Sequence, residues 1–203
     1  MSYKTNCDTV EEKMEWDNFI PPRATQLIIG TFPTAIQRRS FQFFYPNKDN
    51  PFWEVLAAIA ETKLLPNDHK EAIRNRKSIL TKLKLGITDM GYKVLRHSNS
   101  SLDQSIFPIE FMNIFQILDD NPTIKKLILT SSSGQNSVEG WLRSYCKLNS
   151  VKFKRLQGKN PKTGTLKYGS REVQVVSVHS TSKTAAKKTE DLIEMYKQQI
   201  KLN

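Results

Sequence analysis

Four short apolar runs, separated by segments with helical spacing, limit most strongly what this chain can fold into. The runs are QLIIG at 26–30, ITDM at 87–90, IKKLILT at 124–130 and EVQVVSVH at 172–179. Segments between and after them, such as PFWEVLAAIAET and SVEGWLRSYCKL, place apolar residues three or four positions apart. Strands that alternate with helices pair in parallel through right-handed crossovers. The sequence therefore predicts an α/β fold, a three-layer α/β/α sandwich around a central, mostly parallel four-stranded sheet.

The predicted organisation is a polar arm followed by one domain. Residues 1–25 form the arm, in which TVEEKMEWDN is expected to be a short helix that ends before Pro21 and Pro22. Residues 26–203 form a single α/β domain. Within it, PIEFMNIFQILDD is predicted to be a helix, and the basic stretch at about 151–171 is predicted to be a hairpin inserted before the last parallel strand.

The charge of the chain favours a polyanionic partner. Lysine and arginine number 31 against 20 acidic residues, a net charge of +11, which favours nucleic acid; a protein that is merely basic is the alternative. Two cysteines and three scattered histidines predict neither a metal site nor a disulfide framework. No apolar run reaches the roughly 18 residues of a membrane span, and the N-terminus lacks a signal-peptide core. We therefore expect an intracellular, cytoplasmic protein without metal, cofactor or membrane partner.

The loop after the first strand begins with GTFPT, in which Gly30 and Pro33 favour a sharp turn that brings backbone N–H groups toward a ligand. Phe44 and Tyr45 follow in an unusually aromatic stretch, where they either offer a flat face to a base or pack beneath the loop. Asn50 precedes the next predicted helix and is equally explained as its cap.

Two further loops supply polar groups. Asp89 ends the second strand and is expected to face the same cleft, unless it serves as a turn or cap residue. His179 ends the last strand, where it either polarises a substrate carbonyl or has a structural role. The next residues place hydroxyl and N–H groups at a predicted helix start, which favours anions or is simply a capped helix: Ser180, Thr181, Ser182 and Lys183.

Taken in order, these loops resemble motifs of the uracil-DNA glycosylase superfamily, closest to its mismatch-specific uracil/thymine and hypoxanthine-DNA glycosylase branches. The resemblance covers roughly Gln26 to Leu192. GITDM at 86–90 resembles a thymine-type motif, Ser101-Leu102-Asp103 resembles a hypoxanthine-type segment, and HSTSK at 179–183 resembles the family's last motif with both prolines replaced. The first motif is matched by Gly30, Pro33, Phe44, Tyr45, Asn50, Phe52 and Trp53.

The resemblance implies a monomeric DNA-repair enzyme that flips a deaminated base, uracil or hypoxanthine, out of DNA and hydrolyses its N-glycosidic bond without a cofactor. Asn50, Asp89 and His179 are the candidate catalytic residues; His179 stands one position out of register with the histidine of the classical uracil enzymes, so it is a candidate through its place at the strand end and not through the resemblance. Ser180, Thr181, Ser182 and Lys183 would hold the DNA. The base would be bound by Gly30, Thr31, Phe32, Pro33, Phe44 and Tyr45.

Phe32 departs from the family pattern, because most members have there an aspartate or asparagine that positions the attacking water. The hypoxanthine-type branch also lacks a polar residue at this position, and Asn50 or Asp89 are the substitutes. Two alternatives stay open. One is a catalytically inactive DNA-binding homologue with the same fold; the other is an enzyme acting on free nucleosides or nucleotides.

Overall fold

The computed structural model describes residues 9–98, 100, 102–134, 136–159, 161–182 and 187–200. Strands and helices alternate along most of this length, in the following order: β1 Thr9–Lys13, β2 Gln26–Gly30, α1 Phe52–Ile59, α2 Ala72–Lys82, β3 Leu85–Asp89, β4 Gly91–His97, β5 Ile106–Phe111, α3 Ile114–Asp120, β6 Lys126–Leu129, α4 Val138–Leu148, β7 Lys162–Tyr168, β8 Arg171–Ser177 and α5 Thr189–Gln199.

The central sheet has five strands in the order β3-β2-β6-β8-β7. The first four are parallel, as the apolar runs predict, and Leu27, Ile28 and Ile29 of β2 are completely buried. The expected four-stranded sheet is corrected by β7, which pairs antiparallel with β8 and makes the sheet mixed.

Strand β7 comes from the basic stretch that was predicted to form its own hairpin. The hairpin is instead made by β7 and β8, joined at Gly169, whose φ of +54° suits the tight turn. Polar residues alternate with the buried Leu166 along β7, which is typical of a half-exposed edge strand. The overall result is a mixed α/β fold; the three-layer arrangement stays a prediction.

A second sheet, in the order β1-β4-β5, is antiparallel and has no counterpart in the prediction. Its first strand corrects the expected N-terminal helix, because Thr9–Lys13 pairs with β4 from Thr9↔His97 to Lys13↔Lys93. Residues 9–13 are therefore built into the fold as a strand rather than forming a helix in an arm.

The segment PIEFMNIFQILDD also differs from its prediction as one helix. Its first half completes β5, and only Ile114–Asp120 is helical. Asn113 separates the two halves, since its side chain accepts a hydrogen bond from the backbone N–H of Gln116 and so begins α3.

The predicted helices α1 and α4 are both present, and α2 lies between α1 and β3. They bury the faces expected from their spacing, such as Trp141, Leu142 and Tyr145 on α4. None of the helices in the described ranges combines the length and the apolar character that a membrane span needs.

Candidate functional site

The candidate site lies at the carboxyl edge of the four parallel strands. Gly30 of β2 is paired with Asp89 of β3, and β6 and β8 end beside them at Leu129 and Ser177. Loops that leave neighbouring parallel strands converge at this edge, where ligands of open α/β sheets bind.

Gly30, Asp89 and Tyr45 are brought into direct contact at this edge. A methyl group added to the Gly30 α-carbon would lie 2.1 Å from Asp89 Oδ1 and 3.0 Å from Tyr45 Oη. Tyr45 Oη donates a hydrogen bond to Thr130 Oγ1 at 3.0 Å, which links the aromatic loop to the end of β6. Asp89 is only 4% exposed, so its carboxylate is held in an environment where a charge acts strongly. Thr130 was not among the predicted site residues.

Tyr45, unlike Phe43 and Phe44, keeps part of its surface exposed. Its ring stacks on Phe52 with centroids 3.6 Å apart and planes 9° apart, while the residue as a whole is half-buried. Its φ of +50° is uncommon for a residue other than glycine and costs on the order of 1 kcal/mol. The surrounding contacts therefore hold Tyr45 in a conformation that the local sequence does not favour.

Phe44 occupies the core instead of the site. It is 1% exposed, and its ring makes edge contacts with Trp16 and Phe43. Its carbonyl accepts a hydrogen bond from Trp53 Nε1 at 2.9 Å. The prediction that Phe44 offers a face to a base is thus corrected, because neighbouring aromatic rings already cover it.

The turn GTFPT is fixed mainly through its backbone. The carbonyl of Thr31 accepts from Gly91 N at 2.9 Å, which extends the pairing of β2 and β3 into the loop. Phe32 is buried, with the guanidinium of Arg96 5.8 Å from its ring centroid. The Pro33 carbonyl accepts from Arg96 Nη2 at 2.7 Å.

Glu12, Arg39 and Arg96 form a charged cluster beside this turn, which the sequence did not predict. Glu12 of β1 pairs with Arg96 Nε at 2.8 Å and with Arg39 Nη2 at 3.0 Å. Arg39 Nε donates to the Thr34 carbonyl at 2.8 Å, next to the carbonyl that Arg96 holds. Arg96 is completely buried, and its donors are satisfied by the Glu12 carboxylate and by the carbonyls of Pro33 and Ser100. One glutamate thereby positions two arginines that hold consecutive carbonyls of the loop.

Asn50 acts at the start of α1. Its Oδ1 accepts a hydrogen bond from the Phe52 N–H at 3.0 Å and so closes a turn just before the helix. The N-cap residue of α1 is Pro51, and the helix has no side-chain cap, so the capping interpretation is corrected. A catalytic role for Asn50 stays a prediction.

His179 follows β8, with its carbonyl bonded by Tyr196 Oη at 2.9 Å. Burial, together with the charge of Lys187, lowers the pKa of its imidazole below the usual 6.5. Nε2 of His179 and Oγ1 of Thr181 are enclosed, and neither has a hydrogen-bond partner within the described part of the chain. Buried polar atoms of this kind are uncommon and mark His179 and Thr181 as candidates for contact with a ligand.

The helix expected directly after Ser180, Thr181 and Ser182 begins only at Thr189. Ser180 Oγ instead accepts from Ser182 N at 3.1 Å, which closes a local turn. The prediction that these hydroxyls lie at a helix N-terminus is therefore corrected. Lys183, and Ser101 of the Ser-Leu-Asp segment, lie outside the described residues.

Within the ranges that the structure covers, no three histidine, cysteine, aspartate or glutamate side chains are grouped so that they could hold a metal ion. The groups available for chemistry at this edge are thus carboxylate, imidazole, phenol, hydroxyl and backbone amides.

Comparison with known proteins supports the fold. No protein-family model matches the chain, and no curated protein matches it. The chain is similar to a solved protein from Methanosarcina acetivorans described as a "putative Uracil DNA glycosylase", with a TM-score of 0.58 and 14% sequence identity. The match covers 93% of this chain and 96% of that one, so the likeness extends over nearly the whole fold.

Proposed function

We propose that this protein is a DNA glycosylase that hydrolyses the N-glycosidic bond of a deaminated base, uracil or hypoxanthine, flipped out of DNA. The observation that carries the proposal is the contact of Gly30, Asp89 and Tyr45 at the carboxyl edge of the parallel strands. It joins a carboxylate, an aromatic ring and a sharp backbone turn in one place. The likeness in fold to the Methanosarcina acetivorans protein supports it.

The proposed reaction breaks the bond between C1′ of the sugar and the base nitrogen, and a water oxygen takes the place of the base on C1′. Positive charge develops on the sugar and negative charge on the departing base. Asp89 is suited to stabilise the sugar and to orient the water, since its buried carboxylate lies against the turn. Phe32 has no group that could do this, so Asp89 takes the role that the family motif gives to the residue at that position.

The base would be recognised by the turn and by Tyr45. Backbone N–H groups of Thr31 and Phe32 would face the carbonyl of the base, where negative charge accumulates. The ring of Tyr45, supported from behind by Phe52, would stack on the flipped base. The rigidity that Arg96 and Arg39 give to this loop would keep these groups in place before the base arrives.

The rest of the DNA would be held by the basic surface. The chain carries a net charge of +11, and a monomer of this charge attracts the phosphate backbone over several ångströms. His179 and the hydroxyl groups of Ser180, Thr181 and Ser182 would contact the DNA strand beside the base, together with Lys183.

The experiment that tests this function presents purified protein with oligonucleotides that carry uracil, hypoxanthine, xanthine or mismatched thymine, each single- and double-stranded. Abasic sites are then detected by alkaline cleavage. We expect release of uracil or hypoxanthine. The rate of release should fall roughly 100-fold or more in Asp89→Asn, since a positioned acid–base group contributes a factor of about 10² to 10⁴ to the rate. Asn50→Ala serves as the comparison and should act mainly on stability, by about 1 kcal/mol, through loss of its contact with Phe52 N. No base release from any oligonucleotide would refute the proposal.

A DNA-binding protein without catalysis is the second candidate. It is favoured by Phe32, which is buried beside Arg96, and by Asn50, whose amide oxygen already serves the start of α1. In that case all the oligonucleotides would bind with a strong dependence on salt and none would lose its base.

A further inference from the structure

A groove lies beside helix α4, and its lining includes none of the candidate site residues. It has a volume of about 970 Å³ and runs between α4 and the segment 150–155. Its lining also includes Ser132 and Gly134, which follow β6 and Thr130 in the sequence. None of the residues predicted from the sequence lines it, so the proposed function leaves it unexplained.

One wall of the groove is a single face of α4. Gly140, Arg143, Ser144 and Lys147 follow each other at intervals of three, one and three residues, which places them on the same side of a helix. Gly140 and Ser144 have small side chains and therefore leave space for the groove, while the exposed Arg143 and Lys147 supply positive charge. This face is therefore shaped as a channel with cationic sides.

The opposite wall is a strip of chain fastened to α4 at both ends. At its beginning, Val151 N donates to the Cys146 carbonyl at 2.8 Å. At its end, Leu156 N donates to Glu139 Oε1, also at 2.8 Å, and Glu139 is itself buried in the first turn of α4. Because both ends are held, the groove between them exists before any ligand binds.

Five cations line this groove, and the described residues offer none of them a salt-bridge partner: Arg143, Lys147, Lys152, Lys154 and Arg155. All five are exposed. The lining also holds one acid, the buried Glu139, so five cations stand against one carboxylate and the groove keeps a net positive charge, which attracts polyanions.

Phe153 adds a flat apolar surface among these charges. It lines the groove, is half-buried and packs against the hydrophobic core, so its position is fixed. A cationic groove that contains an aromatic ring is the arrangement with which proteins bind single-stranded nucleic acid, since the cations follow the backbone and a base stacks on the ring.

We infer that this groove binds a single-stranded segment of nucleic acid, with its phosphates on Arg143, Lys147 and the cations of the 152–155 strip and a base against Phe153. The surface is separate from the Gly30–Asp89 site, and binding there does not depend on base excision.

The test uses a fluorescein-labelled oligo(dT) of 15 nucleotides without any lesion. Its binding is followed by fluorescence anisotropy at several salt concentrations. The test variant is Arg143→Gln/Lys147→Gln. The matched control is Lys63→Gln/Lys70→Gln, which removes the same charge from two exposed lysines before α2. We expect the test variant to lower the slope of log K against log salt by about 1.4, that is about 0.7 for each of two lost phosphate contacts, and the control to leave it unchanged.

Phe153→Leu separates stacking from charge, because leucine keeps the apolar packing and removes the ring. We expect roughly fivefold weaker binding or more, from a stacking contribution of about 1 kcal/mol or above, with the salt slope unchanged.

An equal decrease of the salt slope in the test and control variants would overturn the inference. Tighter binding of a lesion-free duplex than of the oligo(dT), through the same residues, would overturn it too. Displacement of the oligonucleotide by polyglutamate of equal charge would overturn it as well, since it would indicate an acidic protein partner. Because the probe contains no lesion, these outcomes are independent of whether the protein excises bases.

Discussion

The carboxylate of Asp89 lies against the α-carbon of Gly30, so closely that a methyl group there would be 2.1 Å from Oδ1. The two residues end neighbouring parallel strands and are paired in register. Only glycine leaves room for this approach, which explains why the turn after β2 begins with that residue.

Gly30→Ala is therefore expected to displace the Asp89 carboxylate and to destabilise the fold by about 1 to 3 kcal/mol, the usual cost of forcing an extra carbon into a packed site. The measurement is urea denaturation of the single variants and of Gly30→Ala/Asp89→Ala. Removing the carboxylate makes room for the methyl group, so the double variant should lose less stability than the two single variants added together. Simple additivity would show that the close approach is not what requires glycine.

Tyr45→Phe is expected to cost about 0.5 to 1.5 kcal/mol of stability, because it removes the hydrogen bond to Thr130 Oγ1 and keeps the stack on Phe52. If Tyr45 stacks on a flipped base, this variant should retain its affinity for lesion-containing DNA. Tyr45→Leu removes the ring and should weaken that affinity by about 1 to 3 kcal/mol. Denaturation and anisotropy titrations measure the two effects, and equal lesion affinity in both variants would argue against stacking.

The central strands could be predicted because each is an apolar run that the fold buries completely, as Leu27, Ile28 and Ile29 show. The second sheet could not. Strand β4 turns Arg96 inward, and a buried arginine gives a strand the sequence pattern of a polar loop. Its partner Glu12 lies 84 residues away, and nothing local to either residue indicates that they meet.

The same limit applies to the site. Gly30 and Asp89 could be placed together from the rule that parallel strands end at one edge. The burial of Phe44 and the partial exposure of Tyr45 could not be predicted, since neighbouring aromatic residues look alike in sequence and differ only in their tertiary packing. Thr130 joins Tyr45 across 85 residues and has no motif of its own.

Glu12→Gln is expected to destabilise the protein by about 3 kcal/mol, because it leaves the buried guanidinium of Arg96 without its carboxylate. Arg39 loses the same partner. The neighbouring Glu11→Gln provides a matched control, since Glu11 pairs with Lys93 on the surface with 54% of its side chain exposed. That change should cost less than about 1 kcal/mol. Urea denaturation of both variants makes the comparison, and similar losses would show that Glu12 does not hold the arginines together.

His179 is expected to be neutral at pH 7, since burial and, to a lesser degree, Lys187 lower its pKa below the ordinary 6.5. The unfolded chain then takes up the proton first as the pH falls, so His179 should reduce the stability of the fold progressively from about pH 6.5 downward. An NMR titration of the imidazole measures the pKa, and Lys187→Gln should raise it toward the ordinary value. Denaturation at pH 7 and pH 5 should show a smaller loss of stability in His179→Gln than in the unmodified protein. A pKa at or above 6.5, or an equal loss of stability in both proteins, would mean that the fold does not disfavour the charged imidazole.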